Sequence, residues 1–393
     1  MTWIGIEGVS ETPSCLRRAE EDLLEGTGGA GCVWIGRAAT ALYLAYRLAR
    51  RESTADSGPE IILPSMCCAT PANVAYLAGC VPRFADVEPH TGLLSLESIQ
   101  GRYTPRTRAV VFVHLFGQTA DLAPIAQWCR ARRILFIEDA AQAQGARLAD
   151  GRAVGSAGDA CVYSFNPPKI LAGGGGAITV RSQALAALLE DEIRCRPLPP
   201  QPPADVASQL ALSYRNLHHG LAGLLRLRPA CRIADWFLRV RGEYDDLCLR
   251  PMQDPTALGQ EWERIAARLE HRRALAEIYS QALAGGPWRL LDGWRSSGVC
   301  WRYSLLVDFP HRVVSFCEAV RRDGFHVSNL YWPLHDFFAP HEGCPCASEF
   351  GRRIVNLWVD ASITAEAAVA CAASVRRHAE ALNSGGDRLT VDR

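Results

Sequence analysis

From residue 32 to residue 180 short apolar runs alternate with stretches whose apolar residues recur at helical spacing. Residues 32–35, 61–64, 81–84, 110–114, 134–137, 160–165 and 177–180 read as strands. Residues 16–24, 37–50, 72–78 and 120–132 read as helices, the second with Leu42, Ala45, Tyr46 and Ala49 at helical spacing. Strand following helix at this rhythm implies an α/β fold with a doubly wound, mostly parallel sheet, and such sheets bind ligands outside the carboxyl ends of their strands. At 393 residues the chain is long for one core. It is expected to divide into a large domain over residues 1–248, with a helical insert over about 194–244, and a smaller C-terminal α/β domain over 249–384. The polar residues 385–393 are expected to be a disordered tail.

Composition matters at one point. Of 42 basic Lys and Arg side chains, 41 are arginine, and Lys169 is the only lysine. Arginine serves as well as lysine on a solvated surface, but its guanidinium cannot lose its proton, whereas a buried lysine becomes a nucleophilic amine. The chemistry that requires an amine is Schiff-base formation. The strand at 134–137 runs into Glu138 and Asp139, so two carboxylates stand at a strand end. Lys169 follows thirty residues after Asp139, and Gly173-Gly174-Gly175-Gly176 supplies a turn with unusual backbone freedom. An acid at one strand end, a unique amine after another and a glycine turn fit a pyridoxal phosphate site, with the acid on the pyridine nitrogen and the amine carrying the cofactor. Read singly, Asp139 is equally a strand-end cap and Gln142 an ordinary helix-surface amide.

Four segments carry a closer likeness: His114-Leu115-Phe116-Gly117-Gln118, Glu138-Asp139-Ala140-Ala141-Gln142-Ala143-Gln144-Gly145, Gly158-Asp159 and Ser164-Phe165-Asn166-Pro167-Pro168-Lys169. With them the chain, over roughly residues 30–380, resembles the DegT/DnrJ/EryC1/StrS family, the fold type I pyridoxal-phosphate-dependent aminotransferases that act mostly on keto-sugars. The resemblance implies a fold type I transferase that takes an amino group from an amino acid, glutamate or glutamine, to a keto substrate of secondary-metabolite or glycan biosynthesis. It makes Lys169 the catalytic lysine that holds pyridoxal 5′-phosphate, Asp139 the catalytic partner of the ring nitrogen, Gln142 a contact to the ring and Ser164 a phosphate ligand. It also implies a homodimer. Tyr331-Trp332-Pro333-Leu334-His335 resembles the family's substrate loop, so Tyr331, His335 and Arg250 are substrate-side candidates, with a core or surface role for His335 equally open. Members that dehydrate sugars carry His where Lys169 stands, which argues against that branch. An elimination or ring-forming enzyme and a non-catalytic regulator remain the alternatives.

The chain departs from the pattern in places. Where the family has Ser-Gly-Thr, this sequence has Arg37-Ala38-Ala39, leaving the backbone amides of Ala38 and Ala39 at a helix start as phosphate ligands without the hydroxyl. Cys68 aligns with an aromatic residue near the ring, and Cys248 with an Asn that crosses the dimer. The insert, opened by a proline-rich stretch at 197–203 and rich in Leu, Arg and Trp, reads as a flap over the active site or dimer mate, or as a partner or membrane surface. Arg and Lys balance Asp and Glu at 42 each, so no global field gathers nucleic acid, and no membrane contact is expected. The 15 cysteines show no metal-ligand spacing and read as reduced thiols of a cytoplasmic protein without a bound metal.

Overall fold

A computed structural model describes residues 2–5, 8–51, 58–167, 169–195, 252, 255–339 and 341–384. The proposed insert, the tail, Cys248 and Arg250 therefore lie outside the described residues. Nine strands form the larger sheet: β1 (Thr2–Gly5), β2 (Gly8–Ser10), β3 (Gly31–Ile35), β4 (Glu60–Pro64), β5 (Val81–Ala85), β6 (Thr107–Val113), β7 (Leu135–Asp139), β8 (Ala160–Ser164) and β9 (Gly176–Val180). Their order is β2-β1-β3-β9-β8-β7-β6-β4-β5. β5, β4, β6, β7 and β8 run parallel, as β1 does to β3, while β9 runs against both its neighbours and β2 against β1. β4, β8 and β9 are buried at every position, as strands covered on both faces must be.

The helix Ala38–Arg51 packs on β8 and β9, and it is buried on more than one side because the helices Thr70–Leu77 and Gln183–Cys195 lie against it. Even Arg47 is enclosed. Its guanidinium meets Glu192 at 2.8 Å, and Arg51 reaches the second oxygen of the same carboxylate at 3.0 Å. A buried charge tolerates enclosure only with such a partner.

A second sheet, antiparallel throughout, has the order β10-β11-β13-β12, with β10 (Trp288–Leu291), β11 (Tyr303–Val307), β12 (Val327–Ser328) and β13 (Ile354–Leu357). Tyr279, Tyr303, Phe316, Val355 and Val375 are central to a separate core around it. Ahead of β10 the helical stretch is broken in two, Pro255–Trp262 and Ile265–Ala282. The break has a packing cause. Trp262 turns into the first core, donating its indole N–H to Asp22 at 2.8 Å and meeting Phe165 edge-on, while Leu275, Ala276 and Tyr279 of the second helix pack into the other core. The chain returns to the larger sheet at residues 333–335, where Met66 bridges Pro333 and the Leu334 N–H donates to the Ser65 carbonyl at 2.7 Å. Among the described residues no helix is long and apolar enough to cross a membrane.

Candidate active site

The strand directions bring the site together. β3, β4, β6, β7 and β8 all end at one edge of the sheet, and because β9 runs the other way it begins there. Arg37 to Ala39, Cys67 and Cys68, His114 to Phe116, Asp139 to Gln142 and the stretch from Ser164 to Lys169 consequently share that edge. A cavity of about 390 Å³ opens beside them, lined by Cys68, Phe116 and Lys169 from this side and by Trp301, Arg302 and Tyr331 from the later part of the chain.

Lys169 is the one lysine and its side chain ends in this cavity, with Nζ 5.0 Å from the centroid of the Trp301 ring. Burial pushes the amine's pKa down. The cations of Arg302 and Arg37 push the same way, against Cys68 and Asp139, which favour the charged form. Its backbone is fixed on both sides: the Lys169 N–H donates to the Asn166 carbonyl at 2.9 Å, and its own carbonyl accepts from Arg272 at 3.2 Å.

Glu138 and Asp139 are neighbours on β7, so their side chains take opposite faces of the sheet and have opposite surroundings. The Glu138 carboxylate is fully engaged. It accepts from His114 Nε2 at 3.0 Å and from the backbone N–H groups of Gly155, Ala157 and Gly158 at 2.9, 2.7 and 2.7 Å. Burial raises its pKa, but these bonds outweigh it and the net shift is downward. Among the described residues the Asp139 carboxylate accepts one bond, from the Ala141 N–H at 3.0 Å, and burial moves its pKa upward, opposed by that bond and by the charges of Lys169 and His114. A buried carboxylate with one bond and a nearby amine is available to a cationic partner; Glu138 is not, and its role is structural.

The remaining expected residues fall into three groups. Ala38 and Ala39 open the helix Ala38–Arg51, whose first N–H groups have no acceptor within the helix. Ser164 ends β8 opposite Gly176, and a Cβ on Gly176 would lie 2.7 Å from the Ala38 nitrogen and 2.9 Å from the Tyr163 carbonyl. Glycine is thus what lets Ser164 and that helix start come together. Gln142 is buried and turned inward, its Oε1 accepting the Phe116 N–H at 2.7 Å and its Nε2 donating to the Tyr331 hydroxyl at 3.2 Å. It ties two cavity walls together. Phe116 sits at φ 57°, an uncommon angle for a bulky residue, which the Gln142 bond helps hold, and its ring stacks parallel to those of Trp301 and Tyr331. Tyr331 lines the cavity; His335 does not. His335 is buried between Ser65, 2.7 Å from Nδ1, and Ser348, 3.4 Å from Nε2, where it joins the 333–335 return to β4.

Trp301, Arg302 and Trp358 line the cavity without having been singled out in the sequence. Their common location depends on β11 pairing with β13, which no local pattern encodes.

These residues fit pyridoxal phosphate: an amine on a cavity wall, a buried carboxylate within its electrostatic reach, and a helix start that approaches the end of β8 across a glycine too close for any side chain. The Tyr46 hydroxyl, buried near Asp139, has no hydrogen-bond partner among the described residues.

Comparison with known proteins agrees. Residues 11–193 match the model of the DegT/DnrJ/EryC1/StrS aminotransferase family. GDP-perosamine synthase of Caulobacter vibrioides is 40% identical over 131 residues, 33% of this chain and 35% of that protein, so the match spans about a third of that relative. The dTDP-4-dehydro-2,3,6-trideoxy-D-glucose 4-aminotransferase of Saccharopolyspora spinosa is 27% identical over 77% of this chain and 74% of its own. Among solved structures, the aminotransferase TlmJ of Streptoalloteichus hindustanus superposes with a TM-score of 0.70 at 25% identity, covering 94% of this chain and 92% of that one. A fold type I architecture and a lone amine at the carboxyl edge of its sheet coincide with the family match across the strands that build this edge: over residues 11–193 the chain is similar to the DegT/DnrJ/EryC1/StrS aminotransferase family.

Proposed function

We propose that this chain is a pyridoxal-phosphate-dependent aminotransferase that moves an amino group from an amino acid, glutamate or glutamine, to a keto-sugar or related keto substrate in secondary-metabolite or glycan biosynthesis. One observation carries the reading: the only lysine in the sequence ends in a cavity at the carboxyl edge of the sheet, with its proton affinity lowered by burial. The activities of the relatives from Caulobacter and Saccharopolyspora support it.

When bound, pyridoxal phosphate supplies an electron sink that weakens the bonds at a substrate's α-carbon. The chain supplies the rest. Lys169 would hold the cofactor through Nζ, and burial, which lowers its pKa, makes that nitrogen readier to give up and take back a proton. Asp139 would hold the proton on the ring nitrogen, and the amides of Ala38 and Ala39 with the Ser164 hydroxyl would hold the phosphate. Gln142 acts from behind, keeping Phe116 and Tyr331 in place. The aromatic walls give the cavity a largely apolar lining, and water displaced from it on substrate binding would strengthen the electrostatic interactions inside.

The test is the donor half-reaction. Addition of L-glutamate or L-glutamine to the purified, yellow protein is expected to bleach its colour, and a keto-sugar acceptor to restore it. A protein whose colour no amino acid bleaches is not an aminotransferase. We read the chain further as a cytoplasmic homodimer, with an interface of more than about 2,000 Å². Sedimentation at micromolar concentration is expected to give the dimer, and a fully active monomer would contradict this.

A further inference from the structure

Arg302 is the charged group on the cavity wall that the roles above leave unused. It stands one residue before β11, and the pairing of Tyr303 with Leu357 sets it across from Trp358. Its side chain is 3% exposed. The guanidinium carbon lies 4.6 Å from the centroid of Trp301 and 4.1 Å from that of Trp358, so two indoles flank one planar cation. Within the chain it spends little of its bonding capacity. Nη1 donates to the Trp301 carbonyl at 3.2 Å and lies 3.5 Å from Asp360 Oδ2, while among the described residues Nε and Nη2 have no acceptor.

The local charges point the same way. Arg272 stands behind this wall with its N–H groups on the carbonyls of Trp301 and Lys169. Burial and Arg272 both press against the positive charge of Arg302, and among the described residues the carboxylate of Asp360 opposes them. Glu138 is committed to His114 and to backbone N–H groups, and Asp139 is coupled to Lys169. A buried cation with two idle donors in a fixed fork is suited to an anion that brings two oxygens of its own.

We propose that Arg302, held between Trp301 and Trp358, receives the α-carboxylate of the amino-acid donor. The proposal rests on the aminotransferase reading and adds to it how the donor is recognised. Every such donor bears its carboxylate on the carbon that bears the amine, so an amine delivered to the Lys169 region brings a carboxylate with it. Lys169 and Arg302 are the only cations among the described residues that line the cavity. With the first committed to the cofactor, the second meets the anion.

Stopped-flow measurement of the donor half-reaction tests this, comparing the amino acid that bleaches the enzyme with its own α-amide. The wild type is expected to favour the free carboxylate by about a hundredfold. Arg302→Gln is expected to abolish that preference and to raise the half-saturating donor concentration by a similar factor, and Arg302→Lys to recover only part of it, because an ammonium lacks the fork and the stacking face. Borohydride labelling of Lys169, run in parallel, is expected to be the same in all three. Absence of label in the wild type would sink the aminotransferase reading, whereas normal label with unchanged donor preference in Arg302→Gln would sink this proposal alone. A wild type that takes the α-amide as readily as the acid overturns it even if neither variant folds. So does an Arg302→Gln enzyme with a normal donor half-reaction and a raised half-saturation for the keto acceptor, since Arg302 would then serve the acceptor.

Discussion

Borohydride reduction of the yellow protein is expected to leave the cofactor covalently fixed on a single peptide, the one that carries Lys169. Selectivity is unusually clean, because no other ε-amine exists in the chain and the α-amino terminus is the only competitor. Lys169→Arg is expected to give no covalent product and to lower turnover by at least about a thousandfold, since the substitution keeps a cation but removes the group that can carry a proton and form the bond. The fold is expected to survive, because the contacts that fix this position are made by the backbone: the N–H to Asn166 and the carbonyl to Arg272. Peptide mapping by mass spectrometry decides it. Label confined to the terminus, or none at all, would leave no role for Lys169.

The second large effect is a contrast between adjacent residues. Asp139→Asn is expected to fold normally and to slow the donor half-reaction by about a hundredfold or more, the usual consequence of losing one preorganised electrostatic partner. The folded-state pKa of Asp139 is raised, so its contribution to cofactor-free stability is present at low pH and is lost as pH rises through the folded value; the amide removes that loss and melts no lower at neutral pH. Glu138→Gln is expected to do the reverse, with a loss of about 3 kcal/mol of stability, because an amide turns N–H groups toward backbone donors that need an acceptor. Its depressed pKa means that the carboxylate stabilises the fold above the ordinary glutamate range and that this is lost as pH falls through the folded value, so the wild type is expected to be the more acid-sensitive of the two. Thermal melts across pH, set beside half-reaction rates, separate them. If Glu138→Gln melted normally and lost the half-reaction, the two acids would have to exchange roles.

The part of the site that could be read in advance is the part written in local pattern. Asp139 and Ser164 end apolar runs and Ala38 opens an amphipathic one, so periodicity alone brings them to one edge once the strands are taken as parallel. Lys169 was marked by composition. Gln142 was legible as a member of the motif, but its bonds to Phe116 and Tyr331 were not, because those residues come from distant segments. His335 sits in a recognisable loop, yet its ring is claimed by Ser65 and Ser348. Trp301, Arg302 and Trp358 gave no signal, since a tryptophan beside a strand is ordinarily core and only the β11–β13 register places these three together. In the fold, the hairpin of β1 and β2 was too short to register as a pattern, and the break after Trp262 follows from two cores competing for one helical stretch.

The turn that carries Lys169 is closed at its mouth. Phe165 and the glycine run exchange bonds across it, the Phe165 N–H to the Gly175 carbonyl at 3.0 Å and the Gly174 N–H to the Phe165 carbonyl at 2.8 Å, and both flanking strands lie inside the sheet rather than at its rim. Opening this mouth would mean unzipping interior strands, so the Phe165 and Gly174 amides are expected to exchange slowly, unlike those of mobile loops. The amine consequently travels on its own four methylenes from a fixed pivot, and its range is the length of one side chain.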